Sequence, residues 1–355
     1  MNPIAARRLA NQRLVGPPLA DPQSVVAWFG AVQGQEYALA QWALALRLPP
    51  TTERAIEAAF AAGDIVRTHA MRPTWHFVAP TDIRWLQALT GPRVQQVNAG
   101  LYRNEGMDSD LRLRAKNAIV RALEHAEFLT RPELGEALAQ AGIPNPRFNR
   151  LAYFVMDAEL EALICSGPKR GNQQTYALLD RRVPPAPRLT RDEALAELTR
   201  RYFTSHGPAT PHDFAWWSGL TVADARNGLS LLGADMQRET IEGTDYWFAA
   251  DAPPPAPPGT AFLLPVYDEC TIAYRNHSAV LDPQYAEQIR TGFFTSAFMV
   301  DGEIIGMWRR IVRPKAAQIE LAPFRPLAQD EQAAFESAAA RYGAFLERPV
   351  TLTVV

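Results

Sequence analysis

The sequence predicts a mixed α+β chain, mainly helical, in which helical segments each end in a short β-hairpin and a small β-rich, barrel-like segment follows. Three observations predict it. Capped helix starts recur at Thr130-Arg131-Pro132-Glu133 and Thr210-Pro211-His212-Asp213, 80 residues apart, each followed by a second helical pattern and a hairpin signal. Two proline-rich stretches, Arg181 to Arg188 and Ala252 to Pro258, divide the chain. Past the second of them the pattern turns to strands, with Asp301-Gly302 as a hairpin turn.

In order, Asp21-Pro22-Gln23-Ser24 caps a helix expected to run through Val32, and a second follows from Glu36 to Arg47, stopped by Pro49-Pro50. Thr52 caps a third over Glu53 to Ala62, which Gly63 ends; strand-like runs Ile65 to Ala70 and Thr74 to Val78 come next. Three helices and a hairpin is the winged-helix order, a variant of helix-turn-helix. Pro80 to Leu89 and Leu111 to Ala126 read as connecting helices. Glu133 to Ala141 and Arg147 to Ile164 form the next helical pair, with Ser166 to Gly171 as a basic turn between two strands. Caps at Thr190, Thr210 and Thr221 open three more helices before the runs Met236 to Ile241 and Asp245 to Ala249. The β-rich segment is assigned strands at Ala261 to Leu264, Thr271 to Tyr274, Phe293 to Val300 and Glu303 to Arg309, a helix from Gln329 to Leu346, and a β-branched tail. The expectation is therefore tandem winged-helix units at 1–128, 129–182 and 189–251, then a C-terminal β domain at 259–355.

Composition narrows the function. A hydrophobic content of 47% with 21% charged residues describes a well-cored protein. No apolar run is long enough to cross a membrane, and Met1-Asn2-Pro3-Ile4 does not open a secretory signal. Cys165 and Cys270 make no metal spacing and suit a reducing cytoplasm. Net charge is −2, against indiscriminate nucleic-acid binding, but it is unevenly spread. Residues 1–182 carry 21 Lys and Arg against 17 Asp and Glu, whereas residues 183–355 carry 15 against 21. Lysine occurs only at Lys116, Lys169 and Lys315; the other cations are arginines, suited to bidentate phosphate contacts.

The oddest stretch is Val32-Gln33-Gly34-Gln35-Glu36-Tyr37, two amides inside an apolar run. An unpartnered buried amide costs roughly 1–3 kcal/mol, and residues two apart on a helix point about 200° apart. Gly34 offers a break that would turn both amides toward one site. The plain alternative is that Gln33 and Gln35 cap helix ends or face water. The chemical alternative is a reaction for which neutral amides suffice, and N-glycosidic cleavage of a cationic purine is one. Its leaving group already carries positive charge, so amides need only place a water and stabilise charge on the sugar.

Val25 through Gln35, with the apolar helix to Arg47-Leu48, resembles the winged-helix DNA glycosylases of the AlkZ/YcaQ type. The resemblance continues through Gly63 to Val78, Leu264-Pro265-Val266-Tyr267-Asp268-Glu269 with Tyr274-Arg275, and Val300-Asp301-Gly302 with Gly306 to Arg310. It implies tandem winged-helix units plus a small β domain curved around duplex DNA, and excision of alkylated bases, in some members from interstrand crosslinks. The family's pair is Gln-apolar-Gln in one branch, which Gln33 and Gln35 match; Gly34 departs from it and puts substrate range in doubt. The resemblance also implies DNA contacts from a hairpin of the β domain, carried here onto Arg309 and Arg310.

Arg67, His69, Arg72, Thr74 and His76 form a second constellation, with phosphate and sugar contacts as its functional reading and a satisfied core histidine at His76 as its plain one. Arg147, Arg150, Lys169 and Arg170 stand where a recognition helix and wing would meet a backbone, or are solvated surface. Asp268-Glu269 reads as structural, paired to an arginine. No cofactor or metal is expected, and the partner is duplex DNA bound by a monomer. The rival class is a non-enzymatic winged-helix regulator, which would not require the amide pair.

Overall fold

The structure, a computed structural model, describes residues 2–143, 148–250, 259–289 and 296–355. The chain begins with α1 (Pro3–Asn11), α2 (Pro22–Phe29), β1 (Val32–Gln33), α3 (Tyr37–Ala45), α4 (Glu53–Ala62), β2 (Val66–Ala70) and β3 (Thr74–Val78). Three helices, α5 (Ile83–Val97), α6 (Ala99–Asn104) and α7 (Ser109–Glu124), lead to β4 (Leu129–Thr130), α8 (Arg131–Gln140), α9 (Phe148–Leu160), β5 (Ile164–Arg170), β6 (Gln173–Leu178) and α10 (Leu179–Arg182). Next come α11 (Arg191–Ser205), α12 (Pro211–Ser218), α13 (Val222–Leu232), β7 (Met236–Ile241) and β8 (Thr244–Ala249). The last stretch holds β9 (Ala261–Leu264), α14 (Glu269–Ile272), α15 (Ala286–Ile289), β10 (Ala297–Val300), β11 (Glu303–Val312), β12 (Ala317–Pro323), α16 (Gln329–Leu346) and β13 (Val350–Val354).

Helix starts follow their local code. The Thr130, Thr190, Thr210 and Thr221 hydroxyls each accept the N–H three residues on, and the acid there returns the bond, so four capping boxes form. Elsewhere tertiary pairing overrides the pattern. The helix expected to reach Val32 stops at Phe29, because Gly30 takes φ +84° and the next residues join a sheet. The helix expected to reach Ile164 ends at Leu160: Ala162 turns left-handed at φ 55°, and Ile164 enters β5. Ser166 to Arg170 is strand rather than turn, paired with β6, and the turn moves on to Gly171-Asn172. Thr271-Ile272, expected in a strand, lies in α14, which the Asp268 carboxylate caps by accepting the Cys270 N–H.

The small sheets run β1-β3-β2 and β4-β6-β5, with β7-β8 alone. The C-terminal sheet has the order β13-β12-β11-β10-β9, antiparallel except for the parallel β12–β13 pair. Its edges β9 and β13 do not meet, so the expected barrel-like closure is replaced by an open sheet. Helix α16 covers it, Phe335 packing edge-on to Phe298 and Tyr342 on Trp308. Tyr342 also packs on Trp42 of α3, and one apolar core runs from α1–α4 into this sheet. A second core joins β2, β3 and α5 to α11–α13, and a third fills the space among α7, α8, α9 and β6.

Candidate active site

Gln33 ends the two-residue strand β1, and Gly34-Gln35 runs on through a bend into α3. Val32 and Gln33 stand opposite Phe77 and His76 on β3, and the Gly34 N–H donates to the Trp75 carbonyl at 2.7 Å. Both amides reach the β2–β3 hairpin, Gln33 Oε1 at Arg72 and Gln35 Oε1 at the Trp75 N–H. The helix expected to end or kink at Gly34 has already stopped at Phe29. Gly34 is not left-handed, and a Cβ there would rest 3.4–3.5 Å from Phe77 and His76, ordinary contact.

Gln33 is buried and held from two directions. Its Oε1 accepts Arg72 Nη2 at 2.7 Å, and its backbone N–H donates to Glu269 Oε1 at 2.9 Å. Glu269 is itself 1% exposed, and its Oε2 accepts Trp217 Nε1 at 2.8 Å and His206 Nε2 at 3.2 Å. Burial raises the Glu269 pKa, but the His206 contact and the Gln33 N–H outweigh it and hold the carboxyl below its usual value. Burial pulls His206 down, so the pair is carboxylate with neutral imidazole. Gln35 is half-buried and its Oε1 accepts the Trp75 N–H at 3.3 Å.

His76, across the ladder from Gln33, bonds through Nδ1 to the Thr74 carbonyl at 3.0 Å. Burial, then the Arg72 charge, lower its pKa to about 3, so it is neutral and its Nδ1 carries the proton. That leaves His76 Nε2 a buried acceptor without a partner among the described residues, where Arg72 Nε and Thr74 Oγ1 are also unmet. Buried polar atoms are normally satisfied, so these three call for water or ligand partners.

The second constellation divides between two faces, as its two-residue period predicts. Thr74 and His76 share Gln33's face. Arg67 and His69, opposite Phe77 and Trp75, take the other. There Arg67 Nε donates to the Gly34 carbonyl at 2.9 Å while its guanidinium lies 4.4 Å from the Trp75 ring centroid. Burial brings its pKa down to about 10. His69 Nδ1 pairs with buried Glu159.

The remaining basic residues have local partners. Lys169 reaches Glu57 at 3.5 Å and sits 4.0 Å over the Tyr37 ring, which turns it toward the first helices. Arg170 pairs with Glu133 at 2.7 Å and with the Phe128 carbonyl, and Arg150 bonds the Glu105 carbonyl. Arg309, largely exposed, pairs with Glu320, and Arg310 with the Tyr342 hydroxyl. Arg147 lies outside the described residues. Among the described residues no three His, Cys, Asp or Glu side chains are grouped to hold a metal ion, and no helix is long and apolar enough to cross a membrane.

A family model described as DNA glycosylase AlkZ-like matches residues 26–345. The chain belongs to that family. It is thus an enzyme acting on N-glycosyl bonds in DNA repair. A curated relative, the interstrand DNA cross-link repair glycosylase of Streptomyces sahachiroi, is 23% identical over 329 residues, 86% of each chain. The solved structure of Streptomyces sahachiroi DNA glycosylase AlkZ superposes with a TM-score of 0.79 at 22% identity, covering 98% of each chain. Within this AlkZ-like fold, Asp268 is ion-paired to Arg47 as the sequence suggested, at 2.8 Å. Glu269 is not paired to an arginine among the described residues. Its partners Gln33, His206 and Trp217 come from three distant stretches, and no local signal in the sequence points to them.

Proposed function

We propose that this AlkZ-like enzyme is a monofunctional DNA glycosylase that hydrolyses the N-glycosidic bond of cationic, N7- or N3-alkylated purines in duplex DNA. The observation that carries the reading is the Gln33-Gly34-Gln35 segment, whose two amides both reach the β2–β3 hairpin, with Glu269 behind the first. Each Gln Oε1 has one bond and a second lone pair free for a water O–H. The amides orient that water at the sugar C1′. As the C1′–N bond breaks, its electron pair passes to the purine and neutralises it; the water oxygen bonds C1′ and its proton leaves to solvent. The buried Glu269 carboxylate supplies a fixed negative charge that favours the oxocarbenium-like sugar. No lysine neighbours Gln33 in the sequence, which argues against a Schiff-base strand-nicking step.

In this reading the helix-and-hairpin segments at 1–128, 129–182 and 189–251 are tandem winged-helix units, and 259–355 is the β domain. Arg72, Thr74 and His76 meet the sugar-phosphate beside the amides. Arg147, Arg150, Lys169, Arg170, Arg309 and Arg310 are further backbone contacts, those with acidic partners exchanging them for phosphate. The protein acts as a cytoplasmic monomer, and the relative's printed role extends the candidate substrates to crosslinked bases. The test is release of 7-methylguanine from a duplex oligonucleotide by wild type and by Gln33→Ala/Gln35→Ala. An alkali-labile site made by wild type and lost in the folded double variant is the expected result. Undiminished excision by the double variant moves the chemistry elsewhere, and sequence-selective binding without excision returns the regulator reading.

A further inference from the structure

A cleft of about 400 Å³ opens where α1, the start of α12, β8 and the 275–279 loop meet. That volume is in the range of small-ligand pockets. Arg8 on α1 decides its character. The residue is 2% exposed, and its Nε donates to the Pro208 carbonyl at 2.9 Å. Its Nη1 is buried without a partner, and no carboxylate is ion-paired to it among the described residues. The guanidinium lies 3.6 Å from the Tyr274 ring centroid, which offsets part of its desolvation. A buried cation without a counter-ion stays unfavourable until a ligand brings oxygens to it.

The rest of the lining repeats this excess of donors. Arg275 enters from the loop after α14; its backbone N–H donates to Asp213 Oδ1 at 2.9 Å, and its exposed guanidinium has no partner among the described residues. Asn276 Oδ1 accepts the Ser278 N–H at 2.9 Å, which leaves the amide nitrogen for a ligand. His277 spends Nε2 on the Thr271 carbonyl at 2.9 Å, and burial lowers its pKa, so it adds no charge. Asp213 is the one acid in the lining, and its two oxygens are committed to the Arg275 N–H and to Thr210. Two guanidiniums against one spent carboxylate select an anion. Donors converging from a helix and a loop suit a tetrahedral oxyanion, which offers more acceptor directions than a planar carboxylate. The lining includes none of Gln33, Gln35 and Glu269, so this is a second place on the molecule. It backs onto the first: Tyr274, beneath Arg8, donates to the His206 carbonyl at 2.8 Å, and His206 Nε2 reaches Glu269.

We propose that this cleft binds a tetrahedral oxyanion of the phosphate class, at a site separate from the amide pair. The binding does not rest on the glycosylase reading, because no residue of the lining takes part in the proposed chemistry. Phosphate reaches such a site as a free ion, as a terminal group or within the DNA backbone, and the experiment separates the three. The full chain is titrated with inorganic phosphate, and in parallel with acetate, at an ionic strength held constant with chloride. Calorimetry and phosphorus NMR line broadening read the binding. Phosphate is expected to bind saturably and about tenfold more tightly than acetate, with a loss of about tenfold in Arg8→Gln and in Arg275→Ala. Arg275→Ala, at an exposed position, carries the test where Arg8→Gln does not fold. No saturable phosphate binding, equal binding of acetate, or indifference to both substitutions overturns the site. Displacement of phosphate by an undamaged duplex with hydroxyl ends supports the site and assigns it to the backbone. Displacement only by an end-phosphorylated strand assigns it to a terminal phosphate, and displacement by neither to the free ion. Excision of a damaged base, measured separately, bears on the proposed function alone.

Discussion

The hairpins β2–β3 and β7–β8 occupy the same place after a run of helices, yet they are opposites in chemistry. In β2–β3 the polar residues Arg67, Thr68, His69 and His76 are buried, and His76 Nε2, Thr74 Oγ1 and Trp75 Nε1 lack partners among the described residues. In β7–β8 the polar ladder is exposed and ordinary: Arg238 meets Asp245 at 3.4 Å and Thr240 meets Asp245 at 2.6 Å. Buried polar groups are expensive and exposed ones nearly neutral. One architecture thus serves twice, as a polar site held against its own desolvation and as plain scaffold.

The largest effect expected from breaking that contrast is at Glu269. Glu269→Ala leaves the Gln33, Trp217 and His206 donors unpartnered, and a loss of about 3–5 kcal/mol in urea unfolding is expected; Glu269→Gln, which keeps one acceptor oxygen, should lose less. Gln33→Ala comes next: excision slowed by roughly 10²-fold or more, a barrier rise of about 3 kcal/mol, with a smaller stability loss of about 1–3 kcal/mol from Arg72 left without its acceptor. Arg238→Ala in the scaffold hairpin should shift stability by no more than about 0.5 kcal/mol and leave excision intact. If it slows the reaction as much as Gln33→Ala does, the contrast between the hairpins fails.

The titration of His76 sharpens the same point. Its folded pKa is depressed to about 3, below the unfolded value. The unfolded chain therefore binds the extra proton first, so stability is full above roughly pH 6.5 and falls as pH drops toward 3, by up to about 1.4 kcal/mol per pH unit from this group. His76→Gln should flatten that slope in melting curves between pH 6 and pH 4; an unchanged slope would place the depressed group elsewhere, at His206 or His277, which burial also lowers. An effect of the opposite sign is expected at Gly34. With its backbone unstrained and room for a Cβ, Gly34→Ala should stabilise by about 0.4–1 kcal/mol, read by chemical denaturation.

What the sequence disclosed was local. A threonine with an acid three residues on writes a helix start within four positions, and all four such boxes are present where they were expected. Asp301-Gly302 likewise set the β10–β11 hairpin, taking φ 50° and 77°. The two-residue strand β1 was hidden inside an apolar pattern equally consistent with a helix, and only its pairing with β3 decides between them. The strand β12 and the open order of the C-terminal sheet depend on neighbours as well. At the candidate site the amides stood out because buried amides are rare, and their setting did not, because it is assembled from β1, α11, α12 and α14.

That assembly has a consequence for biosynthesis. The bond between the Gln33 N–H and Glu269 spans 236 residues. At ribosomal speeds of roughly 5–20 residues per second, Gln33 is made roughly 10–50 s before the carboxylate that fixes it exists. A nascent chain therefore carries its amides without their anchor, and under the proposed mechanism its activity is deferred until the last quarter of the polypeptide has been made and docked.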